Sequence, residues 1–188
     1  MLSHIVIESV TPMVDCGRYP AKGIVGEPCA VEADIFRDGH SLLRAAVKWR
    51  RKEDEAFNEA PMAPLDNDRW GGEFVPAENA RYVFTIEAWT DLFASWLADF
   101  AKKVGADRDV SSDLLEGIAL LEPILRTAAG ADRELLSDSV ASLRQTTDPT
   151  AALAIVSEPA LGEAAARLGE RFGATRYQPL IELVADRP

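Results

Sequence analysis

Apolar and polar residues alternate along roughly the first half of the chain, in short runs that predict β-strands. In one such run, Val31, Ala33 and Ile35 fall on one side of the chain, while Glu32 and Asp34 fall on the other. Because successive side chains of a strand point to opposite faces, this alternation predicts strands that bury one face. Similar runs occupy residues 5–10, 46–50 and 81–89, and turn-forming residues separate them. Several short strands at this spacing predict an antiparallel β-sandwich of the immunoglobulin-like type.

In the second half of the chain, the period of the apolar residues lengthens to that of an α-helix. Leu114, Ile118, Leu121 and Leu125 form one stripe at helical spacing, and the region 91–173 predicts five helices. Each predicted helix is apolar on one side only, so the helices are expected to pack together or against the sheet.

Two segments contain the residue types that begin helices. The run 111–113 offers serine and aspartate side chains, which accept hydrogen bonds from the free backbone amides of a helix start. Asp148 followed by Pro149 indicates a second start, because proline is favoured at the first helical position. We therefore predict helix N-termini at both places.

After Gly173 the chain returns to residues that are typical of strands, over 175–184. A late strand behind a helical region predicts that the helices are inserted before the last strand of the sandwich. The predicted fold class is α+β, with a β-sandwich domain of residues 1–90 plus 174–188 and an inserted helical bundle of residues 91–173.

Net charge and hydropathy argue against several classes of partner. The 188 residues include 20 basic and 31 acidic ones, which gives a formal net charge of −11. A binder of nucleic acid or of anionic lipid needs a basic face, so neither nucleic acid nor a membrane is expected as a partner. The sequence contains no run of about 20 apolar residues, as a membrane helix requires, and no basic segment like that of a signal peptide precedes Glu8. We therefore expect a cytoplasmic protein.

Cysteine and histidine are too few and too scattered to predict a metal site. The two cysteines are Cys16 and Cys29, and the two histidines are His4 and His40. A structural zinc site needs about four such ligands at recognisable spacing, and these residues show no paired spacing. We expect the cysteines to be reduced thiols. A phosphate-binding loop is not predicted either, because no glycine-rich segment precedes a predicted helix. The sequence predicts no catalytic, cofactor-binding or metal-binding residue, and no cofactor.

Two of the four tryptophans are candidates for contact with a sugar. Trp89 and Trp96 occupy a strand end and a helical stripe, where core positions are expected. Trp49 has basic neighbours, and Trp70 stands among polar residues and glycines, so both are expected to be nearer to solvent. Because sugars stack on exposed aromatic faces, Trp70 and Trp49 are the candidate sugar-contacting residues. The alternative is that these two side chains belong to the core.

Three segments in order along the chain resemble one known family. They are residues 14–22 with 25–28 and 33–40, residues 67–70, and residues 82–91 continuing to Trp96. The chain is similar, from about Ile5 to its C-terminus, to the N-terminal region of the bacterial α-1,4-glucan:maltose-1-phosphate maltosyltransferases. These enzymes belong to the α-amylase-like glycoside hydrolase clan. Cys16 departs from the family pattern, in which a small residue such as glycine is common.

The resemblance implies an architecture and a role. It implies a β-sandwich with an inserted helical bundle, both of which help to form a homodimer, followed by a catalytic (β/α)₈ barrel. The catalytic carboxyl groups of the family lie in that barrel and have no matching position here. The resemblance therefore implies a non-catalytic portion that supports dimerisation and shapes access to a barrel absent from this chain. The parent reaction would transfer maltosyl from maltose 1-phosphate to an α-1,4-glucan with retention, which requires two correctly spaced carboxyl groups.

Two other functions remain open from the residues. The first is a stand-alone α-glucan-binding module that uses Trp49 or Trp70 as a stacking platform. The second is an interaction protein whose exposed helical face pairs with another subunit.

Overall fold

The computed structural model describes residues 4–187, which form one nine-stranded sheet and five α-helices. The strands are β1 (Val6–Thr11), β2 (Ala21–Ile24), β3 (Cys29–Phe36), β4 (Leu43–Arg51), β5 (Asn58–Asp66), β6 (Arg69–Phe74), β7 (Ala80–Thr90), β8 (Phe172–Arg176) and β9 (Ile181–Asp186). The helices are α1 (Leu92–Gly105), α2 (Ser111–Thr127), α3 (Gly130–Gln145), α4 (Pro149–Val156) and α5 (Pro159–Leu168). The mixed α+β class predicted from the sequence is confirmed.

The chain divides into two compact units. One unit comprises residues 4–39, Leu43–Thr90 and 173–187 and contains the sheet. The other comprises His40–Leu42 and Asp91–Phe172 and contains the five helices.

The sheet is curled, and β5 connects its two halves. The strand order is β1-β3-β6-β5-β4-β7-β9-β2, and β8 lies beside β7. The first part of β5, residues 58–62, pairs with β4, whereas residues 63–66 pair with β6. Side chains from both halves share one core, in which Val31, Phe84 and Leu183 are fully buried. The alternation read from the sequence therefore identified the buried faces of the strands.

The sheet departs from the predicted sandwich in two ways. The expectation of a purely antiparallel arrangement was wrong, because β2 runs parallel to β9, with Ala21 opposite Leu183. A tight hairpin forces the two strands that it joins to be antiparallel. Because β2 and β9 are far apart in the sequence, no such turn connects them or fixes their relative direction. The immunoglobulin-like type is not confirmed, since the strands follow one continuous path of pairings and not two separate sheets.

The late return to the sheet occurs as two strands where a single run was predicted. β8 and β9 both pair with β7, and the run 175–184 is interrupted before Ile181. Pro179 lies in the interruption, and proline has no backbone N–H to donate to a strand ladder. Tyr177 is nevertheless held against β7, because its N–H donates to the Ile86 carbonyl at 2.8 Å and its carbonyl accepts from the Thr85 hydroxyl at 2.8 Å.

The five predicted helices are present and share a core of their own. Its fully buried members include Phe100 of α1, Leu121 of α2, Leu136 of α3, Val156 of α4 and Leu161 of α5, so all five helices contribute. Within residues 4–187, no helix is both long and apolar enough to cross a membrane.

One of the two predicted helix caps is present. The Asp148 carboxylate accepts from the amides of Thr150 and Ala151 at the start of α4. The predicted cap of α2 was wrong in detail, because α2 begins at Ser111 as expected but its N-cap residue is Val110, which forms no side-chain cap bond. The Asp113 side chain forms an ion pair with Lys103 instead.

Helices α1 and α2 meet at a glycine. Trp96 on α1 lies so close to Gly117 on α2 that an added Cβ would stand 2.2 Å from the Trp96 ring. The Trp96 ring stacks on Phe100 at 4.9 Å between centroids, and its Nε1–H donates to the Asp113 carbonyl at 2.8 Å. Because the ring is fixed by these contacts, the residue facing it has to be the smallest one.

Candidate functional site

The two candidate sugar-contacting residues, Trp49 and Trp70, are half-buried and pack against the core of the sheet unit. Trp49 lies on β4 and stacks on Phe74 of β6, with ring centroids 5.2 Å apart and an angle of 18° between the planes. Trp70 lies on β6, where it pairs with Ala33 of β3. Trp89 and Trp96 are buried, as predicted.

The two candidate indoles are separated along the sheet. Trp49 contacts β6 at Phe74, which is four residues from Trp70 and therefore about 13 Å away along the strand. Each indole buries part of its surface against the core. A sugar would therefore meet two separate, partly exposed rings and not a continuous stacking surface.

The segment 67–70, which the family resemblance includes, forms the turn between β5 and β6 and the start of β6. Asn67 has a φ of +49°, in the left-handed region that asparagine tolerates better than most residues. The turn places Arg69 opposite Asp66 of β5 on one side of β6. On the other side of β6, Arg69 lies opposite Asp34 of β3. The local sequence thus fixes the position of one guanidinium on the surface of the sheet.

Arg69 links three strands. Its Nε donates to the Glu32 carboxylate at 3.1 Å and one Nη donates to the Asp34 carboxylate at 3.1 Å. The same Nη donates to the Ser9 carbonyl of β1 at 2.9 Å. Ser9 lies where β1 contains one more residue than β3, since Glu8 faces Asp34 while Thr11 faces Glu32. The guanidinium therefore satisfies a carbonyl in an irregular stretch of β1 that ordinary pairing would leave unbonded.

The surface around Arg69 is an open acidic groove of about 490 Å³. Its lining residues are Glu8, Asp34, Phe36, Asp66, Asn67, Asp68 and Arg69. Hydrogen bonds from Ser9 and Arg69 hold the pKa of Asp34 below its usual range. Asp34 is therefore ionised at neutral pH and is unable to donate a proton there.

Two further surface carboxylates have a pKa that is lowered by an arginine. Arg167 donates two hydrogen bonds to Asp132, at 3.0 and 2.9 Å, and these lower the pKa of Asp132. Arg51 lowers the pKa of Asp54 in the same way. These pairs bind a carboxylate in its charged form, which stabilises surface structure and does not create a general acid.

Within the described part of the chain, no three histidine, cysteine, aspartate or glutamate side chains are grouped so that they could hold a metal ion. Cys16 is exposed and Cys29 is half-buried, and neither forms a disulfide, as expected. Burial raises the pKa of the Cys29 thiol, so this group is protonated and unreactive at neutral pH.

The sequence did not identify Arg69 as a key residue of this surface. The signal was the position of an arginine directly after a turn, opposite a strand in which Glu32 and Asp34 share the outward face. This signal is informative only when the pairing of β3 with β6 is known, and the sequence pattern does not predict which strands pair.

The chain matches a family model described as the α-1,4-glucan:maltose-1-phosphate maltosyltransferase, domain N/S, over residues 3–187. It is also similar to enzymes of that name from Myxococcus xanthus, Rhodospirillum rubrum and Burkholderia pseudomallei. The identities are 43%, 35% and 34%, over 99%, 98% and 98% of this chain. The matches span only 29%, 29% and 16% of those relatives, so this chain covers less than a third of their length. The chain belongs to the α-1,4-glucan:maltose-1-phosphate maltosyltransferase family and corresponds to its N-terminal region.

Proposed function

We propose that this chain is the non-catalytic N-terminal portion of an α-glucan maltosyltransferase. The observation that carries the proposal is the match to the N/S domain of the family over residues 3–187, combined with coverage of less than a third of the relatives. The reaction, transfer of maltosyl from maltose 1-phosphate to an α-1,4-glucan, would then be performed by a catalytic barrel of the α-amylase-like clan outside this chain.

The electrostatics of the carboxyl groups support a non-catalytic role. Retaining glycosyl transfer needs one carboxyl that is protonated at working pH and a second that acts as nucleophile, about 5–5.5 Å away. Asp34, Asp54, Asp109 and Asp132 all have a pKa that is displaced downward. These groups are poor proton donors, so the surface is suited to structural contacts and not to acid catalysis.

The two compact units support the proposed domain division into a sandwich domain of residues 1–90 plus 174–188 and an inserted bundle of residues 91–173. The two halves of the sheet, joined by β5, would serve as the two layers of the sandwich around their common core. Each unit has its own core, which is expected of a domain that folds as a unit.

The proposed roles are to support a homodimer and to shape access to the barrel. Both roles need exposed apolar side chains, and each unit offers some, such as Tyr19 in the sheet unit and Leu115 in the helical unit. The two free cysteines fit the proposed cytoplasmic location, where thiols are kept reduced.

An enzyme assay tests the proposal. The purified chain is expected to release no phosphate from maltose 1-phosphate in the presence of an α-1,4-glucan. A chimaeric enzyme, in which this chain replaces the N-terminal region of the Myxococcus xanthus relative, is expected to be active and dimeric by light scattering. The control is the remainder of that relative without any N-terminal region, which is expected to lose its dimer. Turnover by this chain alone would overturn the non-catalytic assignment, and a folded but monomeric chimaera would overturn the role in dimerisation.

The second candidate function is α-glucan binding by the chain itself. The partial exposure of Trp49 and Trp70 favours it, because each indole leaves some of its face or edge open to solvent. Titration with maltoheptaose separates the two candidates, because only a glucan-binding module is expected to show saturable binding.

A further inference from the structure

We propose that Arg50 forms an oxyanion-binding site on the outward face of the sheet, which takes the phosphate or carboxylate group of a small ligand. The site, named here the Arg50 site, consists of Arg50 on β4, Phe57 in the loop before β5 and Arg176 on β8. Arg50 faces outward because the preceding residue, Trp49, packs against the core and successive side chains of a strand alternate. The inference goes beyond the proposed function and does not depend on it, since it rests on the unsatisfied hydrogen-bond donors of one side chain.

The guanidinium of Arg50 is held in place through one of its nitrogens. The backbone carbonyls of Arg51, Lys52 and Asp54 accept hydrogen bonds from Nη1, at 3.1, 2.7 and 2.5 Å. The Asp54 carboxylate is not available as a partner, because Arg51 donates to both of its oxygens at 2.9 and 3.0 Å. Nη1 therefore fixes the guanidinium against the loop between β4 and β5, and the other two nitrogens are positioned before a ligand arrives.

The opposite edge of the guanidinium has a donor without an acceptor. The Nε of Arg50 is buried, and no acceptor meets it among the described residues. Nε and Nη2 form the edge through which arginine binds a carboxylate or a phosphate with two parallel hydrogen bonds. Because a buried donor without an acceptor is costly, native structures rarely contain one without a reason such as a bound ion. Arg50 as a whole is half-buried, so a ligand would approach along the exposed part of the side chain and replace the atoms that cover Nε.

The charges around the Arg50 site favour an anion. The Arg50 Cζ lies 5.0 Å from the centroid of the Phe57 ring, and the Arg176 Cζ lies 5.8 Å from the same centroid. The charged side chains associated with this ring are three cations and two carboxylates, namely Lys48, Arg50, Arg176, Glu59 and Glu87. Glu87 accepts from Arg176 at 2.9 Å and from Lys48 at 3.2 Å, and Glu59 pairs with Lys48 at 3.5 Å. Both carboxylates are thus bound to other cations, and the positive charge of Arg50 is left for an oxyanion.

Nuclear magnetic resonance of the arginine side chains tests the site in the unmodified chain. The Arg50 Nε–H signal is assigned by through-bond correlation, and the chain is titrated with sodium phosphate or with sodium acetate, with sodium chloride keeping the ionic strength constant. Phosphate is expected to shift the Arg50 signal along a saturating curve, and further than the Nε–H signal of Arg144 in the helical unit. An equal response to acetate would identify a general oxyanion site, and a response to phosphate alone would identify a phosphate site. An Arg50 signal that neither anion shifts would overturn the proposal.

A pair of matched variants adds a second measurement. Arg50→Lys keeps the positive charge but removes the Nε–Nη2 edge, so phosphate is expected to lose its saturable effect on the backbone amides of residues 51–57. Arg144→Lys, which changes an exposed arginine paired with Glu122, is the control and is expected to respond as the parent does. Unchanged phosphate binding by a folded Arg50→Lys variant would overturn the proposal, because charge alone would then attract the anion. If Arg50→Lys does not fold, the titration of the parent decides.

Discussion

The contact between Gly117 and Trp96 allows one substitution to be worked through in detail. In Gly117→Ala, the new methyl group would stand 2.2 Å from Cζ2 and 2.4 Å from Cη2 of the Trp96 ring. Carbon atoms in van der Waals contact lie about 3.5–4.0 Å apart, so the ring or the helix has to move by more than about 1 Å.

The ring has little freedom to move. It stacks on Phe100 at 4.9 Å and contacts Phe93 at 5.6 Å between centroids, and it is only 7% exposed. Overpacking a core costs about 1–3 kcal/mol, and loss of the Trp96 hydrogen bond to Asp113 would add about 1–3 kcal/mol. Alanine gains about 1 kcal/mol over glycine in helix propensity, which offsets part of this cost. We expect Gly117→Ala to destabilise the helical unit by about 2–4 kcal/mol.

Gly162→Ala is the matched control. Gly162 also lies inside a helix, α5, but no heavy atom lies within 4 Å of its added Cβ. The propensity gain should therefore appear without a clash, as a stabilisation of about 0.5–1 kcal/mol.

The measurement is urea unfolding followed by circular dichroism at the helical band, since helices dominate that signal. The expected result is opposite signs for the two variants, with Gly117→Ala less stable and Gly162→Ala more stable than the parent. Equal stabilisation of both would refute the reasoning, because it would mean that the two helices separate freely and that the close approach carries no energy.

Three further predictions concern the sheet unit, the helical ion pair and sugar binding. Arg69→Met is expected to lower the free energy of unfolding by about 1–2 kcal/mol, because the carboxylate of Asp34 and a carbonyl of β1 lose their donor; an unchanged urea midpoint would contradict this. The pKa of Asp132 is lowered by Arg167, so this pair stabilises the fold above the unfolded pKa of about 3.9 and that contribution is lost as the pH falls toward the folded pKa. The stability difference between the parent and Asp132→Asn should therefore shrink from about pH 6 to about pH 3, and a constant difference would show that the ion pair is not the cause. Titration with maltoheptaose is expected to show no saturable binding, whereas binding that is lost in a folded Trp70→Ala variant would favour the glucan-binding module.

Local residue types predicted much of the fold, as the β3 run and the α4 cap illustrate. The alternation of Val31, Ala33 and Ile35 identified a buried face because the strand period is a property of the backbone itself. Asp148 before Pro149 identified a helix start because the Asp148 carboxylate accepts from amides of the next residues, while Pro149 has a helical φ and no N–H that needs a partner. Each of these signals is complete within a short stretch of sequence.

Features that depend on distant partners were not predictable in the same way. The parallel pairing of β2 with β9 depends on which strand reaches a free edge, and the sequence between them contains no turn that decides it. The role of Arg69 depends on the register of three strands, and the close approach at Gly117 depends on how α1 crosses α2. For the candidate sugar site, the sequence identified two tryptophans but not the extent to which the core covers each ring.

The pairing of β8 with β7 indicates that the helical region could be removed from the chain without separating the strands on either side of it. β7 leads into the five helices and β8 leads out of them, yet the two strands are neighbours in the same sheet. A short turn could therefore bridge them in place of some eighty residues, at little cost to the register of the sheet. The helical region could therefore be removed or replaced by engineering while the sheet keeps its strands.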